Sequence, residues 1–136
     1  MDPRKIANSM AYCGLICTLC QPEALCRCRS NNHCGKRLAP GGCFQHDCCT
    51  EKGLNGCWEC PDAPCGKDMH APDKVKIRAF ITYIKEDGLE RFSENIARNA
   101  KLGVVYHRDG IFGDYDLPSE KEVLRLLRHG QKPQDL

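Results

Sequence analysis

All twelve cysteines of this 136-residue chain fall between Cys13 and Cys65, and the sequence from Gly66 to Leu136 has none. No other feature restricts the possible folds as strongly. Thiols at this density exceed what core packing needs, so they pair as disulfides, bind metal or do redox chemistry. The N-terminal stretch MDPRKIANSMAYCGL carries early charges without the apolar run of a secretory leader, and no segment approaches the length of a membrane span. A cytoplasmic location is expected, where disulfide scaffolds do not persist. Metal binding is then the stronger reading.

The apolar inventory points the same way. Between Cys13 and Cys65 the large apolar side chains are Leu15, Ile16, Leu19, Leu25, Leu38, Phe44, Leu54 and Trp58, scattered among Gly, Pro, Asn and charged residues. Ordering a residue costs about 1.5 kcal/mol, and each buried side chain of this kind returns about 1.5 to 3 kcal/mol. Such a core is thin. A structural zinc site supplies about 10 to 16 kcal/mol of apparent binding energy, which suggests a cysteine-rich metal-binding region over residues 1–70 and a helical region over 71–136.

Spacing identifies the ligands. C-x2-C lets two thiolates from one tight turn reach the same ion at about 2.3 Å. CTLC provides Cys17 and Cys20, preceded by Cys13, and CWEC provides Cys57 and Cys60, followed by Cys65. The missing ligands are expected from Cys28, Cys34, Cys43 and Cys48. Cys26 and Cys49, each crowded beside another cysteine, are possible extra ligands or ordinary buried thiols. His33 and His46 lie in the same region, but abundant thiolates make a solvent-facing role the plainer account of both.

Zinc is the expected ion, with an iron–sulfur cluster as the alternative. Cys13, Cys17 and Cys20 form C-x3-C-x2-C, the spacing with which radical-SAM enzymes hold a [4Fe-4S] cluster, but this chain is too short to build their barrel and has Leu19 where an aromatic residue is usual. CWECP ends in the Cys-Pro of bacterial ferredoxins without the C-x2-C-x2-C-x3-C run that surrounds it there.

The succession YCGLICTLC, CRCRS and CCTEKGLNGCWECPDAPC resembles a prokaryotic cysteine-rich family catalogued as domain of unknown function 3795. Its members open with CGL-x-C-x-x-C and close with EKG-x-x-x-C-x-x-C-x-x-x-PC. The likeness runs from Tyr12 to about Asp116, and Cys13, Cys17, Cys20, Cys28, Cys48, Cys57, Cys60 and Cys65 match its pattern. The longer CGKRLAPGGC stretch and the extra Cys49 depart from it. The resemblance implies metal binding and names no reaction.

Beyond Gly66 the pattern turns helical. Pro72 suits a first turn, and Val75, Ile77, Ala79, Phe80, Ile81 and Ile84 form an apolar face that Gly88 ends. Leu89, Phe92, Ile96 and Ala100 continue to Gly103. Ser119 and Glu122 make a capping box before Val123, Leu124, Leu126 and Leu127, with Gly130 behind. Between these helices a short hairpin is expected near 104–113, from Val104–Tyr106 through a turn to Ile111 and Phe112. Its polar cluster, Tyr106, His107, Asp109, Asp114, Tyr115 and Asp116, is a candidate ligand or partner surface. The expected fold is thus a small metal-stabilised α+β structure, an irregular cysteine-rich zinc-binding half packed on a helical half with a hairpin.

The formal net charge is +2, and each four-thiolate zinc adds a local charge of about -2. Arg27, Arg29, Lys36 and Arg37 read as a solvated face, since no aromatic-interleaved basic stretch or recognition helix accompanies them. Neither nucleic acid nor membrane is an expected partner. No nucleophile and base, phosphate loop or carboxylate pair indicates an enzyme. The leading expectation is a structural or interaction module that holds zinc and offers a surface to a protein or small molecule. An iron–sulfur redox or sensor protein, a metallothionein-like buffer and a thiol oxidoreductase are the alternatives.

Overall fold

The structure is a computed structural model and describes residues 2–20, 43–106 and 113–130. Cys26, Cys28, Cys34, His33, His107 and Asp109 of the expected sites lie outside the described residues. Within them the chain runs through helices α1 (Pro3–Asn8), α2 (Cys17–Cys20), α3 (Phe44–Lys52), α4 (Val75–Asp87), α5 (Leu89–Lys101) and α6 (Glu120–His129), with single 3-10 turns at Cys57–Glu59 and Asp68–His70.

Each of the three later helices follows from its sequence. α4 begins at Val75, so Pro72 stands in the preceding turn rather than inside the helix. Gly88 separates α4 from α5 at a φ of 90° that its missing Cβ tolerates. Ser119 Oγ accepts from the Glu122 amide at 3.2 Å, satisfying one free N–H of the first turn of α6. Glu122 Oε2 is buried without a hydrogen-bond partner.

These helices bury one apolar cluster. Phe80, Phe92, Ile96, Val123, Leu126 and Leu127 meet at its centre, and Ile6, Met10 and Ile16 from the N-terminus join them. α1 packs along α5, and α4 along α6. α1 starts where Asp2 accepts from the Arg4 amide at 2.9 Å and Pro3 supplies a preset φ. Asn99, itself fully buried, donates to the Tyr115 hydroxyl and to the Leu126 carbonyl, both at 2.9 Å, and so ties α5 to α6. The apolar residues of the first segment thus extend a shared core, which relieves the shortage that the sequence alone suggests.

The expected α+β class is incorrect for the described residues, which are helical and hold no β-strand; an isolated bridge between Met10 and Ile16 is their β-type pairing. Val104, Val105 and Tyr106 alternate buried and exposed as a strand would, yet Val104 and Tyr106 face the helical core. Val105 N–H donates to Asp114 Oδ2 at 2.7 Å and its carbonyl accepts from the Asp114 amide at 2.8 Å, while Ile111 and Phe112, the expected returning arm, lie outside the described residues. The metal-stabilised part of that expectation is likewise without an assembled site: among the described residues no three Cys, His, Asp or Glu side chains form a metal-holding group. The described residues include no helix long and apolar enough to cross a membrane.

Tyr106 links distant segments. Its ring stacks on Phe80 with centroids 6.2 Å apart, and its hydroxyl accepts from the Ile16 amide at 3.0 Å, 90 positions away. Tyr106→Phe keeps the ring and strands that buried N–H, so a loss of about 1–3 kcal/mol in unfolding free energy is expected. Urea titration of the far-ultraviolet circular dichroism measures it, and an unchanged midpoint would show that Ile16 finds another partner.

Candidate metal centre

Helix α3 delivers the first two sulfurs. Its cap is Gly53, at a φ of 73° suited to a left-handed residue, and Cys48 and Cys49 lie in its second turn. Gln45, almost fully buried, anchors the helix: Nε2 donates to the Lys67 carbonyl at 2.7 Å, and Oε1 accepts from the Met69 amide at 3.1 Å. Gln45 Nε2 also lies 3.8 Å from Cys65 Sγ. Asp68 Oδ2 accepts from Phe44 N at 2.9 Å and holds the start of α3. A run without apolar periodicity therefore becomes an ordered helix through its polar anchors.

The 3-10 turn Cys57–Glu59 delivers the next pair. Trp58 folds back over Gly56 so closely that a Cβ there would lie 2.3 Å from the indole ring, so a larger residue at this position displaces the ring. Asn55 N–H donates to Glu59 Oε1 at 2.8 Å, and the Cys60 amide donates to the Cys57 carbonyl at 2.9 Å. Cys57 N–H in turn donates to the Tyr12 carbonyl at 2.9 Å, which lays the CWEC turn against the first cysteine motif.

Cys48, Cys49, Cys57, Cys60 and Cys65 consequently line one cavity of about 260 Å³. The buried Cys49 and Cys57 sulfurs are 3.6 Å apart. Two thiolates on a tetrahedral zinc at about 2.3 Å would stand about 3.8 Å apart, so this pair has the separation of two ligands on one ion. The soft donor set suits a thiophilic divalent cation, and these residues would hold it by thiolate coordination. Lys52 Nζ stands 3.8 Å from Cys60 Sγ at the rim. Its hydrogen bond to Cys48, followed by the charges at Cys48 and Cys60, holds the ammonium above its usual pKa.

Burial, followed by the neighbouring Cys49, Cys13 and Cys65 sulfurs, pushes the Cys57 thiol well up. A redox nucleophile requires the opposite shift, so Cys57 is not poised for thiol exchange.

The other expected residues are distributed differently. Cys13 is buried and Cys17 half-buried, packed with Ala11, Ile77 and Met69 beside the cavity rather than in it. Cys20 ends α2. Cys43 is the residue before α3 and makes no side-chain cap. His46 is partly buried, edge-on to Tyr12 at 5.4 Å and paired with Asp47 at 3.2 Å, so it is neither solvent-facing nor on the cavity. Of the expected partner surface, Tyr106 and Tyr115 are interior, Asp114 caps Val105, and the exposed Asp116 accepts from Gly113 N at 2.8 Å and pairs with Lys76 at 3.2 Å.

Sequence reasoning missed His70. It is fully buried, its Nε2 lies 3.0 Å from the Cys13 carbonyl oxygen, and its Nδ1 has no hydrogen-bond partner. Burial, which outweighs the Cys13 carbonyl, and the nearby Arg78 and Lys85 charges lower its pKa. Its single signal in the sequence is its position five residues after Cys65. Comparison of the chain with family models, curated proteins and solved structures gives no match.

Proposed function

We propose that this chain is a zinc-binding protein whose cysteine-rich segment is a structural or interaction module, offering a surface to a protein or small-molecule partner rather than to nucleic acid. The observation that carries the reading is the convergence of Cys48, Cys49, Cys57, Cys60 and Cys65 on one cavity, with two sulfurs 3.6 Å apart. The resemblance to domain of unknown function 3795 agrees with it, and a reducing compartment such as the cytoplasm is where these thiols remain available.

Elemental analysis and a visible spectrum, on protein purified without oxygen, test the reading. A colourless protein with zinc at a fixed integer ratio is expected. Iron with a broad visible absorbance would replace zinc by a cluster, a variable and rapidly exchanging load would indicate a buffer, and a chain that takes up no metal would end the proposal.

A further inference from the structure

Arg91, Asn95 and Arg98 follow one another at steps of four and three residues, which sets them on one face of α5. Tyr83 and Asp87, a turn apart at the end of α4, and Arg128 from the last turn of α6 complete a groove of about 450 Å³. Every lining side chain carries a polar group. Asn95 Nδ2 donates to the Tyr83 hydroxyl at 2.6 Å, and both side chains are more than nine-tenths buried, so this pair forms the floor. Burial, followed by the Asp87 carboxylate, holds the Tyr83 phenol above its ordinary pKa, and it stays a neutral hydroxyl.

The protein itself positions two of the guanidiniums. Arg98 donates through Nε and Nη2 to Asn99 Oδ1 at 3.1 and 2.9 Å, and Nη2 also donates to the Leu127 carbonyl at 2.9 Å. Arg128 lies 5.9 Å from the Tyr83 ring centroid and donates through Nη2 to Glu86 Oε2 at 2.6 Å. A guanidinium has five N–H bonds, so Nη1 of each is left for another acceptor. Both arginines also suit the end of α6, where a cation complements the helix dipole. Arg91 does not fit that account. It stands in the first turn of α5, the end that disfavours a cation, and among the described residues its exposed side chain makes no hydrogen bond or ion pair. Against the three guanidiniums stand the carboxylates of Asp87 and Glu86, which leaves one positive charge in excess.

We propose that this groove binds the phosphate group of a small polar molecule. A carboxylate offers two oxygens and is used up by one bidentate fork, whereas a phosphate monoester presents three terminal oxygens that guanidiniums from α5 and α6 can share. A water molecule takes about 30 Å³, so the groove has room for more than a phosphate alone. Asp87, which only accepts, suits hydroxyl groups on the rest of the molecule. The proposal is independent of the metal reading.

Titration of the full chain with glycerol phosphate at constant ionic strength, followed by heteronuclear NMR, is the test. Saturating shifts of the Tyr83, Arg91 and Asn95 amides are expected, with malonate, a dicarboxylate, binding about tenfold more weakly or worse. Arg91→Ala should raise Kd about tenfold or more while its helical circular dichroism persists, because Arg91 has no partner in the described protein to lose. Arg91→Lys should recover part of that loss, since an ammonium is a point charge rather than a fork. Shifts that grow linearly with added ester, a Kd unchanged in Arg91→Ala, or malonate bound as tightly as the ester overturns the proposal and leaves the arginines to the helix ends. Binding to phosphatidate vesicles without a response to the soluble ester overturns it as well, because the source is then a lipid surface.

Discussion

Phe80→Ala is expected to remove about 3–5 kcal/mol of unfolding free energy, a large part of the stability of a domain this size. Phe80 is fully buried on α4, and three aromatic rings meet it from other segments. Phe92 of α5 lies edge-on at 5.1 Å, Tyr115 edge-on at 5.6 Å, and Tyr106 stacks at 6.2 Å. Edge-to-face pairs add energy beyond the area they bury, and two helices and the segments that carry Tyr106 and Tyr115 cannot all close on the same vacated volume. Urea unfolding followed by circular dichroism gives the number. A loss below about 1 kcal/mol would mean that the cavity collapses and that the ring cluster does not organise the fold.

The second large effect concerns metal. On the zinc reading, Cys57→Ser is expected to release one ion per chain, because a neutral hydroxyl is a poor substitute for the thiolate that Cys57 shares with Cys49 across 3.6 Å. A structural zinc contributes about 10–16 kcal/mol of apparent binding energy, so losing a ligand should be decisive for occupancy. The helical signal should survive, since α1, α4, α5 and α6 pack around an apolar cluster separate from that of Cys49, Cys57 and Cys60. Zinc content measured beside circular dichroism separates the two effects. Undiminished zinc in a folded Cys57→Ser protein would remove Cys57 from the ligand set.

α4, α5 and α6 were readable because their apolar residues recur at helical spacing and because Gly88, Ser119 and Gly130 mark their ends. α3 was not: its buried residues are Gln45 and Cys49, which carry no hydrophobic period, and its anchors lie in the 67–69 segment. The strand expected at Val104–Tyr106 is absent for a related reason. Alternation of Val104, Val105 and Tyr106 reports which side chains are buried, and a helical core buries them as well as a sheet does. Tyr106 and Tyr115 looked like surface polar groups, but their hydroxyls serve the buried Ile16 and Asn99.

By itself the sequence determined the donor inventory, the C-x2-C pairs that a single turn can aim at one ion, and the extents of the later helices. Each is a property of residues within a few positions of one another. Only the tertiary structure decided that Cys48 and Cys49 share a cavity with Cys57, Cys60 and Cys65, and that His70 lies against Cys13. Those meetings follow from the packing of apolar faces and from polar anchors such as Gln45. Burial has no direction along the chain, so no local spacing encodes which distant segments it brings together.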